Sequence, residues 1–134
     1  MTLDKSDKET LIHYRIEQAK NTCDDADFLI QNDRLTSAVN RIYYAMFYML
    51  SALALKHDYH TSKHKQLIGW FNKNFVKDGT LAPKYAKIVT EVFESRSDSD
   101  YGVFVKFTKD DVLDMFADMK DFLTTIEQFM LSEP

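Results

Sequence analysis

The amino-acid sequence predicts an all-α fold, an antiparallel bundle of four to five helices. Only three Gly and two Pro occur among 134 residues, which favours long regular elements with short connections. Apolar residues recur at steps of three and four through most of the chain, the spacing of one helix face. No stretch of the sequence has the alternation of apolar and polar residues that is typical of a strand. At this length we expect residues 1–134 to form a single domain.

The first helix is predicted over about residues 8–31. Its apolar positions step by four and three along one face: Ile12, Ile16, Ala19, Cys23, Ala26 and Ile30. Because Cys23 lies on this face, we expect a packed thiol rather than a reactive one. The pattern breaks at Asn32, and Asp33 is the candidate N-cap of the second helix.

The second helix, residues 34–55, is apolar almost all the way round, so we expect it to run through the middle of the fold. Thr61 or Ser62 is predicted to cap a third helix. The apolar face of that helix comprises Leu67, Ile68, Phe71 and Phe75. Gly79 is expected to end it, since glycine readily takes the left-handed conformation.

Pro83 suits the first turn of a fourth helix, predicted to run to about Ser95. The stretch that follows, residues 95–104, is predicted to be a loop because polar residues alternate there and Gly102 interrupts it. Thr108 and Asp111 have the spacing of a capping box at the start of the last helix. That helix has a wide apolar face of methionine, phenylalanine and aliphatic residues between 112 and 130.

The composition indicates a cytoplasmic protein that does not insert into a membrane. The first ten residues are charged and lack an apolar segment, so no secretion signal is expected. The longest apolar stretch, residues 42–55, is shorter than the roughly 20 residues that a bilayer requires. A single cysteine, Cys23, excludes an intramolecular disulfide and suits a reducing compartment.

Charge is distributed unevenly along the chain, although the net charge of −4 gives no general case for nucleic-acid binding. Residues 56–87 contain seven Lys and two Asp, whereas residues 108–134 contain seven acidic residues and two Lys. The basic segment can attract phosphate groups. The alternative is that both segments are solvated helix faces.

A stripe of polar residues lies along the otherwise apolar second helix. Ser37, Arg41, Tyr44, Tyr48 and Ser51 follow one another at steps of four and three, which places them on one side. Polar groups on a core helix need a buried partner, an interface or a cleft. We therefore take Arg41, Tyr44 and Tyr48 as candidate ligand-binding residues.

Three histidines, His57, His60 and His64, have spacing that would suit a metal on one helix. The chain is expected to turn between them, and lysines flank them, so we interpret them mainly as solvated residues and expect no metal. Arg96 is followed by Asp100 and Tyr101, a combination that can form charge-assisted hydrogen bonds. Arg41 of the second helix is a second candidate partner for these residues. The alternative for this cluster is a loop-anchoring salt bridge without a function.

Four stretches together resemble a known family: residues 38–47 (AVNRIYYAMF), 62–65 (SKHK), 71–79 (FNKNFVKDG), and Arg96 with Asp100–Tyr101. They look like a HEPN domain, the "higher eukaryotes and prokaryotes nucleotide-binding" domain. The likeness covers about residues 10–130 and is closest to the small prokaryotic branch with an Arg-x-Tyr-Tyr-Ala-x-Phe central helix. The resemblance implies a homodimeric helical bundle that needs no cofactor and is often encoded with a minimal nucleotidyltransferase as a toxin–antitoxin pair.

Catalytic members of that family have an arginine followed four to six residues later by a histidine, and they cleave RNA without a metal. Arg96 matches the arginine, but no histidine follows it, and Asp100 and Tyr101 stand near the expected position. Histidine can take or give a proton near neutral pH, whereas aspartate is a poor acid and tyrosine a poor base. This departure counts against catalysis.

Three hypotheses follow. We favour a non-catalytic or weakly catalytic HEPN dimer that binds RNA or a nucleotide and pairs with a nucleotidyltransferase, with His64 and Lys65 among the ligand-binding residues. The second hypothesis is a metal-independent endoribonuclease toxin that uses Arg96 with Asp100 and Tyr101. The third is a structural bundle whose polar stripe only sets the register of a dimer. Dimerisation is also expected because the central and last helices carry more large apolar residues than one small bundle readily buries.

Overall fold

The computed structural model describes residues 3–100 and 105–134, and these residues form five α-helices and no strand. The helices are α1 (Lys5–Gln31), α2 (Leu35–Lys56), α3 (His64–Phe71), α4 (Lys84–Asp100) and α5 (Lys109–Ser132). A π-helical segment, Asn72–Val76, follows α3 directly. The predicted all-α helical bundle is confirmed. No helix within the described ranges combines the length and apolar character needed to cross a membrane.

Helix α2 is the centre of the bundle, as its composition predicts. Half of its residues are buried, among them Ile42, Tyr43, Met46 and Leu53. The helix packs against α1, α3, α4 and α5, most extensively against α1. Residues 32–34 join α1 to α2 in a short connection, which makes the two helices an antiparallel pair. The central helix therefore carries the polar stripe itself and, through its contacts with α3, positions the basic segment relative to that stripe.

Two of the predicted helix caps are wrong. Asp33 has a φ of 57° and lies outside α2, whose N-cap is Arg34 without a side-chain hydrogen bond. The N-cap of α3 is Lys63, again without a side-chain cap. Thr61 Oγ1 instead accepts a hydrogen bond from the Lys63 backbone N–H at 3.2 Å, one residue before the helix. Both helices begin one or two residues later than the capping residue types suggest.

Two other helix ends are confirmed. Gly79 has a φ of 86°, so the chain leaves the segment after α3 through a left-handed residue. Thr108 is the N-cap of α5, and its Oγ1 accepts a hydrogen bond from the Asp111 backbone N–H at 3.1 Å.

Helix α4 is longer than predicted. It continues through residues 96–100, which the sequence assigns to a loop. An ion pair between Arg96 and Asp100, four residues apart, supports the added turn. Because this turn is helical, Arg96 projects from a rigid element rather than from a loop.

A hydrogen-bonded network joins α4 to α5. The buried Tyr85 hydroxyl donates to Asp121 Oδ1 at 3.1 Å and lies 2.9 Å from Thr125 Oγ1. Lys84 Nζ forms an ion pair with Asp121 Oδ2 at 2.9 Å. These contacts, led by the Lys84 hydrogen bond, hold the pKa of Asp121 below its usual value. The network fixes the start of α4, and through the helix it positions Arg96.

Candidate functional site

A cleft of about 980 Å³ lies between α3 and α4. The start of α3 contributes His64 to its wall, and the C-terminal part of α4 contributes Arg96. Other charged side chains that line it are Lys63, Lys65, Glu94 and Asp98. The basic segment predicted from the sequence therefore supplies one wall of this cleft, while the opposite wall is of mixed charge.

Arg96 is a nearly buried cation at the edge of the cleft, with 16% of its side chain exposed. Its Nη2 donates a hydrogen bond to the Tyr44 hydroxyl at 3.0 Å. Its Nε lies 2.6 Å from Asp100 Oδ2, an ion pair whose N–H is not aligned for a hydrogen bond. The guanidinium also lies over the rings of Tyr43 and Tyr44, with Cζ 5.5 Å and 5.1 Å from the two centroids. These contacts hold the guanidinium in one place.

His64 is part of the same cluster, and the prediction that it is solvated is wrong. Its Nδ1 lies 2.6 Å from the Tyr43 hydroxyl, and its ring stacks on that of Tyr43 with centroids 5.6 Å apart. The edge of the His64 ring meets Phe47 at 4.2 Å between centroids. Burial, and then the positive charge of Arg96, lower the pKa of His64 below its ordinary value of 6.5. His64 is therefore uncharged at neutral pH.

Tyr43 orients the imidazole of His64. Burial raises the pKa of the Tyr43 hydroxyl well above 10, so the group stays protonated and can donate to His64 Nδ1. Tyr43 is itself 1% exposed and in contact with Phe93 of α4, so its position is fixed by the core. A histidine held in this way has its second ring nitrogen, Nε2, available for a ligand.

Arg41 lies on the other side of this cluster. Its guanidinium donates to Asn40 Oδ1 through Nε at 3.0 Å and Nη2 at 2.7 Å. The Arg41 Cζ also lies 5.1 Å from the centroid of Tyr44, the same distance as the Arg96 Cζ. Arg41 faces a separate cavity of about 400 Å³, which Asp100 lines as well. The two arginines therefore share Tyr44 and Asp100 as neighbours.

The structure brings most of the sequence-predicted site residues together. Those within the cluster are Arg41, Tyr44, His64, Arg96 and Asp100. Lys65 is exposed on the rim of the cleft. Tyr48 contacts Tyr44 but lines a different cavity of about 260 Å³ together with Ser51, so the polar stripe divides between two sides of the molecule. Tyr101 lies outside the described residues.

His57 and His60, the other two histidines of the predicted spacing, have different surroundings from His64. His57 Nε2 lies 2.8 Å from Glu133 Oε2, a contact that joins the end of α2 to the C-terminal end of the chain. His60 is exposed. Over residues 3–100 and 105–134, no three side chains of the metal-binding types come together in an arrangement that could hold an ion.

Two residues of the site were missed by the sequence interpretation. Tyr43 belongs to the Arg-x-Tyr-Tyr-Ala-x-Phe pattern but is not among the predicted site residues, although the Tyr43–Tyr44 doublet places two phenols on adjacent sides of α2. Lys63 belongs to the stretch 62–65 that contributes to the family resemblance, but it is not among the predicted site residues. The position of Lys63 immediately before His64, at the start of α3, is the signal that could have identified it.

This arrangement can bind a phosphate group. Arg96 offers a fixed guanidinium, which matches phosphate oxygens, and Lys63 and Lys65 add mobile positive charge at the rim. In uncharged His64, Nε2–H donates a hydrogen bond when Nδ1 accepts from Tyr43, and Nε2 accepts one when Nδ1–H donates to Tyr43.

Comparison with known proteins agrees with this fold. The sequence pattern of the HEPN domain matches residues 12–129. The chain belongs to the HEPN family. A UPF0332 protein of Thermotoga maritima is 41% identical over 125 residues, which cover 93% of this chain and 95% of that protein. The resemblance drawn from the Arg-x-Tyr-Tyr-Ala-x-Phe helix is thereby confirmed.

Two archaeal relatives of this HEPN chain have names that describe them as proposed toxins, both from Methanocaldococcus jannaschii. One is 26% identical over 118 residues, covering 88% of this chain and 80% of that protein. The other is 34% identical over 86 residues, covering 64% of each chain.

Proposed function

We propose that this HEPN protein is a toxin-like module that binds the phosphates of RNA or of a nucleotide in the cleft between α3 and α4. Two relatives named as proposed toxins support the toxin-like role. The single cysteine suits action in the cytoplasm, where RNA is found.

The observation that carries this proposal is the position of Arg96. A nearly buried guanidinium faces a cleft whose rim carries Lys63 and Lys65. Among the described residues Arg96 has one ion pair, with Asp100, and that carboxylate is 32% exposed. A phosphate that enters the cleft gains a charge-assisted hydrogen bond from a cation that is already desolvated and ordered.

Binding is tested with a fluorescein-labelled single-stranded RNA of about ten nucleotides. Fluorescence anisotropy at low salt is expected to show binding by the native protein and at least tenfold weaker binding by Arg96→Ala, since a hydrogen bond between charged groups contributes about 1.5–3 kcal/mol. Lys20→Ala is the control, because Lys20 pairs with Glu127 on a different face. If native and Arg96→Ala proteins bind equally, the cleft is not the binding site. If the native protein does not bind, the structural-bundle hypothesis gains support.

We propose that the working form is a homodimer. The large apolar residues exposed within the described ranges include Tyr14 and Phe28 of α1, which are 58% and 67% exposed. These two residues are separated by nearly four helical turns and so lie on the same side of α1. On the two helices expected to supply surplus apolar surface, Leu113 and Leu131 of α5 are exposed, and Tyr44, Phe47 and Tyr48 of α2 are partly buried. Light scattering at micromolar concentration should give a dimer, and Phe28→Glu should weaken it.

We propose a minimal nucleotidyltransferase as the second partner, because the resemblance of this chain is to the branch that is often encoded with one. Affinity purification of the tagged protein from its own cells should recover a nucleotidyltransferase at a stoichiometric level. Repeated purification without such a protein would remove this part of the proposal and leave RNA binding unaffected.

A metal-independent endoribonuclease is the second candidate, and the position of His64 favours it. When His64 Nδ1–H donates to the Tyr43 hydroxyl oxygen, Nε2 of uncharged His64 can accept the proton of a ribose 2′-OH as that oxygen attacks the adjacent phosphorus, while the bond to the 5′ oxygen breaks and that oxygen takes up a proton from water. Arg96 would stabilise the charge that develops on the phosphate oxygens. The histidine that the sequence motif lacks would then come from α3 rather than from the chain after Arg96.

Cleavage of a mixed RNA substrate in EDTA tests this candidate. Products that end in a cyclic 2′,3′-phosphate, lost in both His64→Ala and Arg96→Ala, would establish it. Cleavage that persists in His64→Ala but disappears in Asp100→Asn would return the proton-transfer role to Asp100. An absence of cleavage by the native protein would leave binding as the function.

A further inference from the structure

Two guanidinium groups share one tyrosine ring in this protein. The Cζ atoms of Arg41 and Arg96 each lie 5.1 Å from the centroid of Tyr44, so they are at most about 10 Å apart. Arg96 faces the cleft between α3 and α4, whereas Arg41 faces the cavity of about 400 Å³ beside the start of α2. Two cavities, each with an arginine in its wall, therefore lie close to each other.

The second cavity is lined mainly by groups that suit a phosphate. Besides Arg41, the side chains around it are Leu29, Thr36, Ser37, Asn40 and Asp100. Two hydroxyls and one amide can donate hydrogen bonds to anionic oxygens, and the guanidinium of Arg41 supplies the charge. Within the described residues, Arg41 forms hydrogen bonds to Asn40 and no ion pair, so its charge is less neutralised than that of Arg96.

Asp100 connects the two cavities. Its carboxylate pairs with Arg96 at 2.6 Å and also lines the Arg41 cavity. A chain of contacts therefore runs from the first cavity to the second through Arg96, Asp100 and Tyr44. A ligand with a single phosphate can occupy one cavity, whereas a ligand with a continuous phosphodiester backbone can occupy both.

We propose that Arg41 forms a second phosphate subsite, so that the preferred ligand is a single-stranded oligoribonucleotide rather than a mononucleotide. This proposal rests on the proposed function, since it assigns the first phosphate to Arg96. The two subsites would bind separate phosphates of one strand, and Tyr44 would keep the two guanidiniums at a fixed separation.

The salt dependence of binding tests the proposal because it counts phosphate contacts. For a single strand, the slope of log affinity against log salt concentration changes by about 0.7 for each phosphate neutralised. With the labelled RNA of about ten nucleotides, Arg41→Ala should reduce the slope by about that amount and weaken binding about fivefold to tenfold at low salt. With labelled adenosine monophosphate, Arg41→Ala should bind as the native protein does.

The controls separate this proposal from the proposed function. Arg96→Ala should weaken binding of both probes, and Lys20→Ala should change neither. Arg41→Lys keeps the charge and should keep most of the salt slope. Arg41→Gln removes the charge and should lose the same part of the slope as Arg41→Ala, so it serves as the test if Arg41→Ala does not fold. If Arg96→Ala loses binding but Arg41→Ala or Arg41→Gln binds RNA with the native slope, the second subsite is refuted and the proposed function stands. If the native protein binds neither probe, both are refuted.

Discussion

Replacement of Asp100 by asparagine should tighten the binding of phosphate at Arg96. The carboxylate lies 2.6 Å from Arg96 Nε and is 32% exposed, so an incoming phosphate competes with it for the guanidinium. Two unit charges about 4 Å apart attract by about 4 kcal/mol at an effective dielectric constant of about 20. Water around the partly exposed carboxylate reduces the net value to about 1 kcal/mol. We therefore expect Asp100→Asn to bind the labelled oligoribonucleotide about fivefold more tightly.

The matched control for this variant is Asp98→Asn. Asp98 also lines the cleft but is not paired with Arg96, so both variants remove one negative charge from the same region. Anisotropy titrations of the two variants and the native protein should show a larger gain in RNA affinity for Asp100→Asn than for Asp98→Asn. A gain no larger than that of Asp98→Asn would refute the argument that the carboxylate competes with phosphate. Circular dichroism at matched temperature checks that the last turn of α4 still forms in Asp100→Asn.

Three further predictions concern stability. Tyr85→Phe should lower the free energy of unfolding by about 1–2 kcal/mol, because the buried hydroxyl contacts Asp121 and Thr125. Urea denaturation measures this loss, and an unchanged denaturation midpoint would contradict the prediction. His64 has a lowered pKa, so the unfolded chain binds its proton more readily than the folded one. The stabilisation that uncharged His64 provides should be complete above pH 6.5 and should decrease as the pH falls below that value. His64→Gln should therefore flatten the pH dependence of the melting temperature below pH 6.5 and leave it unchanged above. Gly79→Ala should lower the free energy of unfolding by about 1–2 kcal/mol, because the residue has a φ of 86°. A Cβ atom there would meet no neighbour, so the loss would come from the backbone conformation alone. Equal melting temperatures of the variant and the native protein would contradict this.

The helices could be predicted from the sequence wherever one face is continuously apolar. Helix α2 is buried as its composition indicates, and α5 begins at Thr108 as its capping pattern indicates. The extension of α4 to Asp100 could not be predicted, because serine and aspartate alternate there and favour turns. In the structure, Arg96 pairs with Asp100 and donates to Tyr44, so tertiary contacts override the local preference.

The site could be predicted in part. Arg96 and Tyr44 were identified as candidates, one from a motif and one from a polar stripe on a core helix. The contact between His64 and Tyr43 could not be foreseen, since the two residues are 21 positions apart on different helices. Spacing along one helix carries no information about how two helices pack. The motif has no histidine after Arg96, yet His64 of α3 contacts the same Tyr43 side chain as Arg96.

The π-helical segment Asn72–Val76 determines how the residues that line the cleft are rotated about the helix axis relative to the residues that pack in the core. Upstream of it, α3 directs His64 and Lys65 towards the cleft, and within it Phe75 is buried against Phe71 and Phe129. A π-helical turn accommodates one residue more than an α-helical turn. Deletion of one residue here would allow a regular α-helix but would rotate the segment beyond it by about 100°. The chain would then be able to keep either its cleft or its aromatic anchor in place, but not both.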